Sequence, residues 1–338
     1  MGLRPVPGGG RPRVGLVLGA GGVLGAAWMT GALPALQQRL PRPLSELDLI
    51  VGTSAGSVVA AALRCGISID EIVAHQRGEG VGVLADSAVT GLTRGPWPRL
   101  PRLRAGSPRL MLSTVLTPHR VHAGVGASAW VLRGRENHAP LRAMVHALHC
   151  HAHGLPAVGT LPPDWVDGGQ TWIVAVDYQS GRRVAFGRDG APAARLPDAV
   201  AASCSIPGWY EPVVIGGRRY VDGGVRSPTS VGLLARAGIA EAYVLAPMAS
   251  IVTDRPRKPY ERVERQVRAL ITMTLLREVR ALRAAGIRVT VLTPGPDDLA
   301  VMGANLMDPR RRTAVLETSL ATSAATLARP ARARPAVA

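Results

Sequence analysis

The chain has 338 residues, 47% of them hydrophobic, so it is long enough to bury a substantial core and too apolar for a disordered protein. The formal charge of +17 favours anionic partners such as nucleic acid, acidic lipid or phosphorylated compounds. A single lysine, Lys258, accompanies many arginines, a pattern that a general drift in composition also produces. Three widely spaced cysteines do not imply a disulfide framework, and no apolar run is long enough to span a membrane.

Two strand–turn–helix units are predicted near the start of the chain, after a flexible lead over residues 1–12 that is rich in Gly, Pro and Arg. The strands and the helices that follow them are predicted at 14–19 and 26–40, then at 48–54 and 57–66. Gly66 is expected to cap the second helix. Because parallel strands need crossover helices of this kind, the repetition favours an α/β fold with a parallel sheet.

The middle of the chain begins with a change in composition. Residues 86–120 are rich in Gly, Pro and Arg and lack clear periodicity, so we interpret them as an excursion from the core that serves as a lid or a membrane-facing loop. Buried-strand patterns then return at 172–178, 182–187, 241–248 and 287–294. The first two of these are expected to form a hairpin that turns at 179–181.

A long helix is predicted over 261–286, ending at Gly286. Beyond it, the composition becomes rich in Ala, Arg and Pro. We therefore expect a single domain over 13–321, followed by a disordered tail over 322–338. No internal repeat is visible.

A serine lies where the second strand meets its helix, in the sequence GTSAG (52–56). This has the form of a nucleophile elbow, in which a serine on a sharp turn has glycines on both sides because a Cβ there would crowd the strand and the helix. The helix N-terminus at this point favours developing negative charge. Ser54 is thus either a nucleophile or an ordinary N-cap of the helix.

A glycine-rich turn follows the first strand, in the sequence GAGGVLG (19–25). Backbone N–H groups in such a turn are open to a ligand oxygen, so it can form an oxyanion hole or hold a phosphate. A dinucleotide-binding loop is disfavoured because Leu24 occupies the place of the third glycine of that fingerprint, and the chain has no GxxxxGK[ST] motif.

An aspartate precedes two glycines in the sequence YVDGGV (220–225), at the end of a short β-like run. A second Asp-Gly-Gly begins at Asp167, and its setting predicts a surface turn before the strand at 172–178. We favour Asp222 over Asp167 as a site residue because of the sequence that surrounds it.

These segments together resemble the patatin-like phospholipase family. The matching sequences are GAGGVLG (19–25), GTSAG (52–56), ASCSIPGWYEPV (202–213) and YVDGGV (220–225), whose order and spacing agree with the family over about residues 13–250. The resemblance implies a three-layer α/β/α fold with a mainly parallel central sheet. It also implies a Ser–Asp dyad in which the aspartate, rather than a histidine, is the base.

Residue by residue, the resemblance makes Ser54 the nucleophile and Asp222 its base. It assigns the oxyanion hole to the N–H groups of Gly21, Gly22 and Val23. The supporting glycines of the motifs are Gly19, Gly25, Gly52, Gly56, Gly223 and Gly224.

Two positions depart from the family pattern. Leu24 stands where the family usually has Arg or Lys, and Arg226-Ser227-Pro228 stands where an Asn often precedes the Pro. The first departure removes a cation from the glycine turn, although a backbone oxyanion hole does not need one. The second concerns only the local geometry after Asp222.

The function that the resemblance implies is hydrolysis of phospholipids or other lipid esters through an acyl-serine. Acyl transfer to another acceptor and a catalytically silent member of the same fold are the alternatives. A nucleic-acid-binding protein is suggested by charge alone, since the chain has none of the usual binding motifs and only 4% aromatic residues. We expect no specific nucleic-acid partner.

The histidines do not support a conventional triad, because none of the eight follows Asp222 in the chain. The run VHALHCHAHG (145–154) includes four of them, His146, His149, His151 and His153, together with Cys150. Without a paired CxxC or HExxH motif it predicts a polar, irregular surface segment better than a metal site. We expect neither a metal nor a cofactor.

A basic segment offers a contact to lipid. TRGPWPRLPRLR (93–104) places Arg94, Arg99, Arg102 and Arg104 beside Trp97, and such a segment is either a solvated loop or a contact to an anionic membrane over 94–104. The N-terminus lacks a signal-peptide pattern. We therefore expect a cytoplasmic protein, with attachment to the inner face of the membrane left open.

Overall fold

A computed structural model describes residues 11–80, 82–84, 102–117, 119, 121–252, 254, 256 and 258–328. In chain order, the strands of this part are β1 (Val14–Leu18), β2 (Leu49–Thr53), β3 (Arg102–Ala105), β4 (Leu132–Arg133), β5 (Gln170–Asp177), β6 (Arg183–Phe186), β7 (Val213–Ile215), β8 (Arg218–Asp222), β9 (Glu241–Leu245) and β10 (Arg288–Leu292). The helices are α1 (Gly22–Gln37), α2 (Ala55–Arg64), α3 (Ile69–Arg77), α4 (Pro108–Leu116), α5 (Ala123–Trp130), α6 (Ala139–Ala152), α7 (Leu196–Ser203), α8 (Pro259–Ala284), α9 (Pro296–Met302) and α10 (Arg312–Ala328).

An eight-stranded sheet forms the centre of the fold. Five strands run parallel in the order β10-β9-β1-β2-β5, and β5 also pairs antiparallel with β6 and β8, the latter of which pairs with β7. The hairpin predicted around 179–181 is the β5–β6 pair. Strands β3 and β4 form a separate two-stranded sheet.

Side chains of the central strands alternate between two cores because successive strand residues point to opposite faces. In β1, Leu16 and Leu18 pack in the core that includes α1, α2, α6, α7 and α10, whereas Val17 packs on the opposite face against α8. Helices therefore cover both faces of the sheet. The predicted α/β protein with a central sheet flanked by helices is confirmed.

The first two helices begin earlier than the sequence pattern predicts, at Gly22 and at Ala55. Glycines expected to lie in the turns thus belong to the first turn of each helix, and this brings the helix N-termini to the site. Gly66 directly follows the C-cap Cys65 with a φ of 78°, and the Ile67 N–H donates to the Ala62 carbonyl as in a Schellman motif.

Two sequence-based expectations are wrong. Residues 322–328, expected in a disordered tail, continue α10, with Ser323 and Leu327 buried, since this Ala-rich stretch has high helix propensity and packs against α1. The histidine run, expected to be irregular, lies largely in α6, where His149 and Cys150 are buried. Residues 329–338 lie outside the described part, as do 85–101, which include most of the basic segment.

Candidate active site

Ser54 is the single residue between β2 and α2. Its backbone has φ 52° and ψ −124°, and among the described non-glycine residues only Ser230 shares a positive φ. A serine in this region is strained, and such strain is typical of functional turns. The turn is held from two sides, because the Ser54 N–H donates to Ser203 Oγ at 2.8 Å and the Ser54 carbonyl accepts from Ser57 Oγ at 2.6 Å.

The glycines on either side of Ser54 permit close backbone contacts. A Cβ at Gly56 would lie 2.0 Å from the carbonyl oxygen of Leu18, at the end of β1. A Cβ at Gly52 would lie 2.6 Å from the Cα of Ser57. The Gly56 N–H also donates to the Gly19 carbonyl at 3.2 Å, so the serine turn and the glycine-rich turn pack directly against each other.

Strand β5 brings Asp222 to this turn. Thr53, just before Ser54, pairs with Val174, and Asp222 pairs with Ala175, the next residue of β5. Thr53 and Asp222, which are far apart in the chain, are therefore held by consecutive residues of β5. Asp222 is buried, with 4% of its surface exposed, as is Ser54.

Burial raises the pKa of the Asp222 carboxyl from 3.8 to about 6. A hydrogen bond from the Ser54 side chain and one from the Gly224 N–H, at 2.7 Å, act in the opposite direction by stabilising the carboxylate. The neighbouring Cys204 thiol stays protonated, since burial, aided by the charge of Asp222, raises its pKa to about 12. The carboxyl of Asp222 therefore binds a proton more tightly than an ordinary aspartate does, and it lies beside Ser54.

The glycine-rich turn places the start of α1 beside both residues. The first backbone bond of α1 runs from the Gly25 N–H to the Gly21 carbonyl, and the Leu24 N–H donates to Leu306. Within the described residues, nothing accepts from the N–H groups of Gly21, Gly22 and Val23. They are the unpaired donors of a helix N-terminus, which favour a negatively charged oxygen.

Sterics explain why this turn is built from glycine. Gly22 has a φ of 60°, and a Cβ there would lie 2.7 Å from Met307 Sδ. A Cβ at Gly21 would meet the side chain of Pro247 at 2.7 Å. The turn also lies against the segment that follows Asp222, because a Cβ added at Gly224 would lie 3.2 Å from the Cβ of Ala20.

The two departures from the family pattern have simple structural consequences. The Leu24 side chain is fully buried in the main core, so this position contributes packing instead of a surface cation. After Asp222, the Pro228 carbonyl accepts from the Ala20 N–H at 2.7 Å, and Ser227 Oγ accepts from the Ser230 N–H at 3.0 Å. The segment is thereby tied to the glycine turn without an asparagine.

Three further residues support the site, and sequence reasoning did not identify them as site residues. Ser203 Oγ accepts from the Ser54 N–H and donates to the Val174 carbonyl at 2.6 Å. The Ser205 carbonyl accepts from the Asp222 N–H at 3.0 Å, and Ser205 Oγ lies 2.9 Å from His138 Nε2. Both serines belong to the ASCSIP run, whose presence before the aspartate was their only sequence signal.

His138 is a histidine that contacts this network. It is buried and stacks on Tyr210 with ring centroids 4.3 Å apart. Burial, with a contribution from the charge of Arg142, lowers its pKa to about 3, so the ring is neutral. Its Nε2 hydrogen-bonds to Ser205, whose carbonyl holds the Asp222 N–H, so His138 supports the backbone beside Asp222.

The competing candidates lie elsewhere. The side chain of Asp167 is 87% exposed and faces His153 at 3.7 Å, in keeping with a surface turn. Of the His, Cys, Asp and Glu residues in the described part, no three are grouped so that they could hold a metal ion.

Fold and site together define a three-layer α/β protein in which a serine on a strained strand-to-helix turn faces a buried carboxyl and an open helix N-terminus. A family model described as Patatin-like phospholipase matches residues 16–235, well over half of the chain. The chain therefore belongs to the patatin-like phospholipase family, as its motifs predicted.

Three solved structures of two proteins are similar to the chain. They are VipD from Legionella pneumophila (14% identity, TM-score 0.39), the type III effector ExoU (16%, 0.41) and ExoU in complex with SpcU from Pseudomonas aeruginosa (16%, 0.36). The alignments cover 91%, 94% and 92% of this chain and 67%, 53% and 59% of those chains. The chain thus spans between about half and two thirds of their length.

Proposed function

We propose that the protein is a serine acyl hydrolase that cleaves ester bonds of phospholipids or other lipids, with Ser54 as nucleophile and Asp222 as base. The observation that carries this proposal is the position of Asp222: its buried carboxyl lies beside the Ser54 turn, because consecutive residues of β5 pair with Thr53 and Asp222, and burial raises its pKa to about 6. A carboxylate in water is too weak a base for a serine hydroxyl, and burial reduces that mismatch. Membership of the patatin-like phospholipase family supports a lipid ester as the substrate.

In the acylation step, Ser54 Oγ attacks the ester carbonyl carbon while its proton passes to the Asp222 carboxylate. The carbonyl oxygen becomes an oxyanion, which the N–H groups of Gly21, Gly22 and Val23 would stabilise. When the tetrahedral intermediate collapses, the bond to the alcohol oxygen breaks and that oxygen takes the proton from Asp222. Ser54 is left as an acyl ester, and Asp222 is again a carboxylate.

In the deacylation step, water attacks the acyl-serine and gives its proton to Asp222. The second intermediate releases the fatty acid, and Ser54 Oγ recovers the proton. Each cycle consumes one ester and one water, and the fatty acid and the alcohol leave. The bond from the Ser54 N–H to Ser203 holds the backbone of the serine turn in place, so the Cβ that carries the hydroxyl is already positioned for each attack.

Covalent labelling tests the nucleophile directly. Because a fluorophosphonate phosphonylates an activated serine, we expect the native protein to be labelled at Ser54 and the Ser54→Ala variant to show no labelling. The site is identified by mass spectrometry of the digested protein. Ser68→Ala is the matched control, since this serine is exposed and caps α3, and it should be labelled as the native protein is. Equal labelling of the Ser54→Ala protein would exclude the proposed nucleophile.

The pKa of Asp222 predicts the pH dependence of hydrolysis. The base must be ionised to accept a proton, so kcat/KM should increase as the pH rises through about 6 and level off above it. The measurement is kcat/KM for a soluble p-nitrophenyl ester between about pH 4.5 and 8.5. A kcat/KM that stays flat down to pH 4.5, as a carboxyl with the ordinary pKa of 3.8 would give, would show that the ionisation of a buried Asp222 does not control the rate.

A further inference from the structure

Helix α8 exposes an apolar stripe along its first half. The stripe consists of side chains at helical spacing, each more than half exposed: Tyr260, Val263, Val267, Leu270 and Met273. The opposite side of the helix is buried against the sheet through Leu275, Val279 and Leu282. Five large apolar side chains on one exposed helix face are unusual for a surface in contact with water alone, and such patches mark interaction sites.

The charges around the stripe are positive. Lys258 and Arg262 are exposed near its N-terminal end, and Arg277 is exposed just beyond its C-terminal end. The acidic residues of α8 are less exposed: Glu264 binds Arg265 and Arg268, and Glu278 lies 4.0 Å from Arg183. Glu261 lies 3.9 Å from Lys258 and offsets its charge, which leaves Arg262 and Arg277, of these three cations, without an acidic partner on α8. The exposed face of α8 is therefore apolar and cationic.

The stripe lies near the edge of the sheet that carries the candidate active site. Helix α8 leads directly into β10, which is parallel to the other central strands, so α8 runs antiparallel to them and starts at their carboxyl ends. Arg268 fixes this position, because its Nη1 donates to the carbonyls of Pro247 at 2.6 Å and Ala249 at 3.2 Å. The ring of Pro247 in turn packs on Gly21 and Gly25 of the glycine turn.

We propose that the stripe (Tyr260, Val263, Val267, Leu270 and Met273) docks on the surface of an anionic lipid bilayer. Apolar side chains would enter the headgroup region while Lys258, Arg262 and Arg277 meet lipid phosphates, as in interfacial helices. The purpose of this contact, delivery of lipid to Ser54, rests on the proposed function, but the contact itself does not. Among the described helices, none is long and apolar enough to cross a membrane.

The observations favour lipid over a second copy of the chain. Two copies meeting through this stripe would place exposed cations of one against those of the other, which opposes association. Five side chains from one helix are also few compared with the roughly 20–30 residues that each partner contributes to a stable protein interface. An anionic bilayer, by contrast, offers phosphates to the cations of α8 and an apolar interior to the side chains of the stripe.

Vesicle binding tests the proposal without requiring turnover. The Ser54→Ala protein is mixed with sedimentable vesicles of phosphatidylcholine alone or of phosphatidylcholine with phosphatidylglycerol, and the bound fraction is measured after centrifugation. We expect binding to the anionic vesicles that falls when salt is raised from about 0.1 to 1 M, since the screening length shrinks to about 3 Å. Adding Val267→Glu and Leu270→Glu should weaken this binding about tenfold or more.

The matched control replaces two exposed valines far from α8 in the chain, Val158→Glu and Val214→Glu, which change charge and apolar area in the same way. Equal loss of binding in the control and the α8 variant would overturn the proposal, as would equal binding to neutral and anionic vesicles. A dimer of the starting protein that the α8 substitutions dissociate, without loss of vesicle binding, would assign the stripe to self-association instead.

The same variants separate this proposal from the proposed function. With Ser54 restored, the α8 variant should hydrolyse soluble p-nitrophenyl butyrate at the native rate and lose activity on phospholipid vesicles. Vesicle binding without any hydrolysis by the native protein would contradict the hydrolase and leave the docking surface intact. Thermal unfolding of each variant, expected to match that of its parent, shows that the exposed substitutions do not disrupt the fold.

Discussion

Asp222→Asn is expected to reduce kcat/KM for ester hydrolysis by about 10³-fold, because the amide cannot take the proton of Ser54. Ser54→Ala should lose at least as much, and the double variant should be no less active than Ser54→Ala alone, since the two groups act as one unit. The measurement is hydrolysis of a soluble p-nitrophenyl ester and of a phospholipid by each purified variant. Asparagine keeps the size of the side chain and an oxygen for the Gly224 N–H, so the fold should be preserved.

Asp167→Asn is the matched control for this substitution. It changes the other Asp-Gly-Gly of the chain, whose aspartate side chain is 87% exposed, and should leave kcat/KM unchanged. Native turnover by Asp222→Asn would contradict the proposed base. A similar loss in both variants would show that the assay responds to something other than the buried carboxyl.

Stability should change in the opposite direction to activity. The pKa of Asp222 is higher in the folded protein than in the unfolded chain, so the folded state binds its proton more tightly and loses stability as the pH rises from about 4 through 6. A difference of about two pKa units corresponds to about 3 kcal/mol. Asp222→Asn removes this loss and should increase the free energy of unfolding at pH 8 but not at pH 4, as measured by urea denaturation. A variant less stable than the native protein at pH 8 would contradict the raised pKa.

Gly56→Ala is expected to destabilise the protein by about 3 kcal/mol or more, because the added Cβ would lie 2.0 Å from the Leu18 carbonyl oxygen and 2.8 Å from that of Gly19. Both atoms are backbone and cannot rotate away, so β1 and α2 must separate. The shift would also displace the serine turn from the glycine turn, and activity should fall with stability. Denaturant unfolding gives the change in free energy.

Gly295→Ala is the control for this clash. Gly295 has a φ of −87°, which any residue can adopt. The atom nearest to a Cβ added there would be Asp298 Oδ2, at the ordinary contact distance of 3.7 Å. We expect it to change the free energy of unfolding by less than about 1 kcal/mol. Equal stability of the two variants would show that β1 and α2 are not in the close contact described above.

Much of the candidate site is visible in the sequence because its glycines are required locally. GTSAG and GAGGVLG sit at strand–helix junctions where backbone segments approach closely, and this sterically restricts the residue type whatever the rest of the fold does. Their order along the chain was enough to predict the α/β fold and the family, and family membership is confirmed. The roles of Ser54 and Asp222 stay predictions that the variants above test.

Supporting residues were less visible because their contacts join distant segments. His138 has no local signature, and Ser203 is marked only by its place in the ASCSIP run, which does not show what its side chain contacts. The packing of α7 against β5 and β8 places Ser203 beside Ser54, and contacts of His138 with Ser205 and Tyr210 place it near Asp222. The same reason explains why residues 322–328 were misassigned: their composition resembles a tail, and their helix is stabilised by its contact with α1.

The sequence by itself determined the strand–turn–helix order, the glycine turns and a candidate nucleophile, because these depend on local sterics and hydrophobic periodicity. The tertiary structure decided which aspartate meets the serine: β5 holds Thr53 and Asp222 at consecutive positions, whereas Asp167 faces solvent. It also decided the proton affinity of Asp222, since desolvation depends on everything packed around the carboxyl. A linear sequence pattern does not show which side chains are buried, and burial is what raises the pKa of Asp222 above that of an ordinary aspartate.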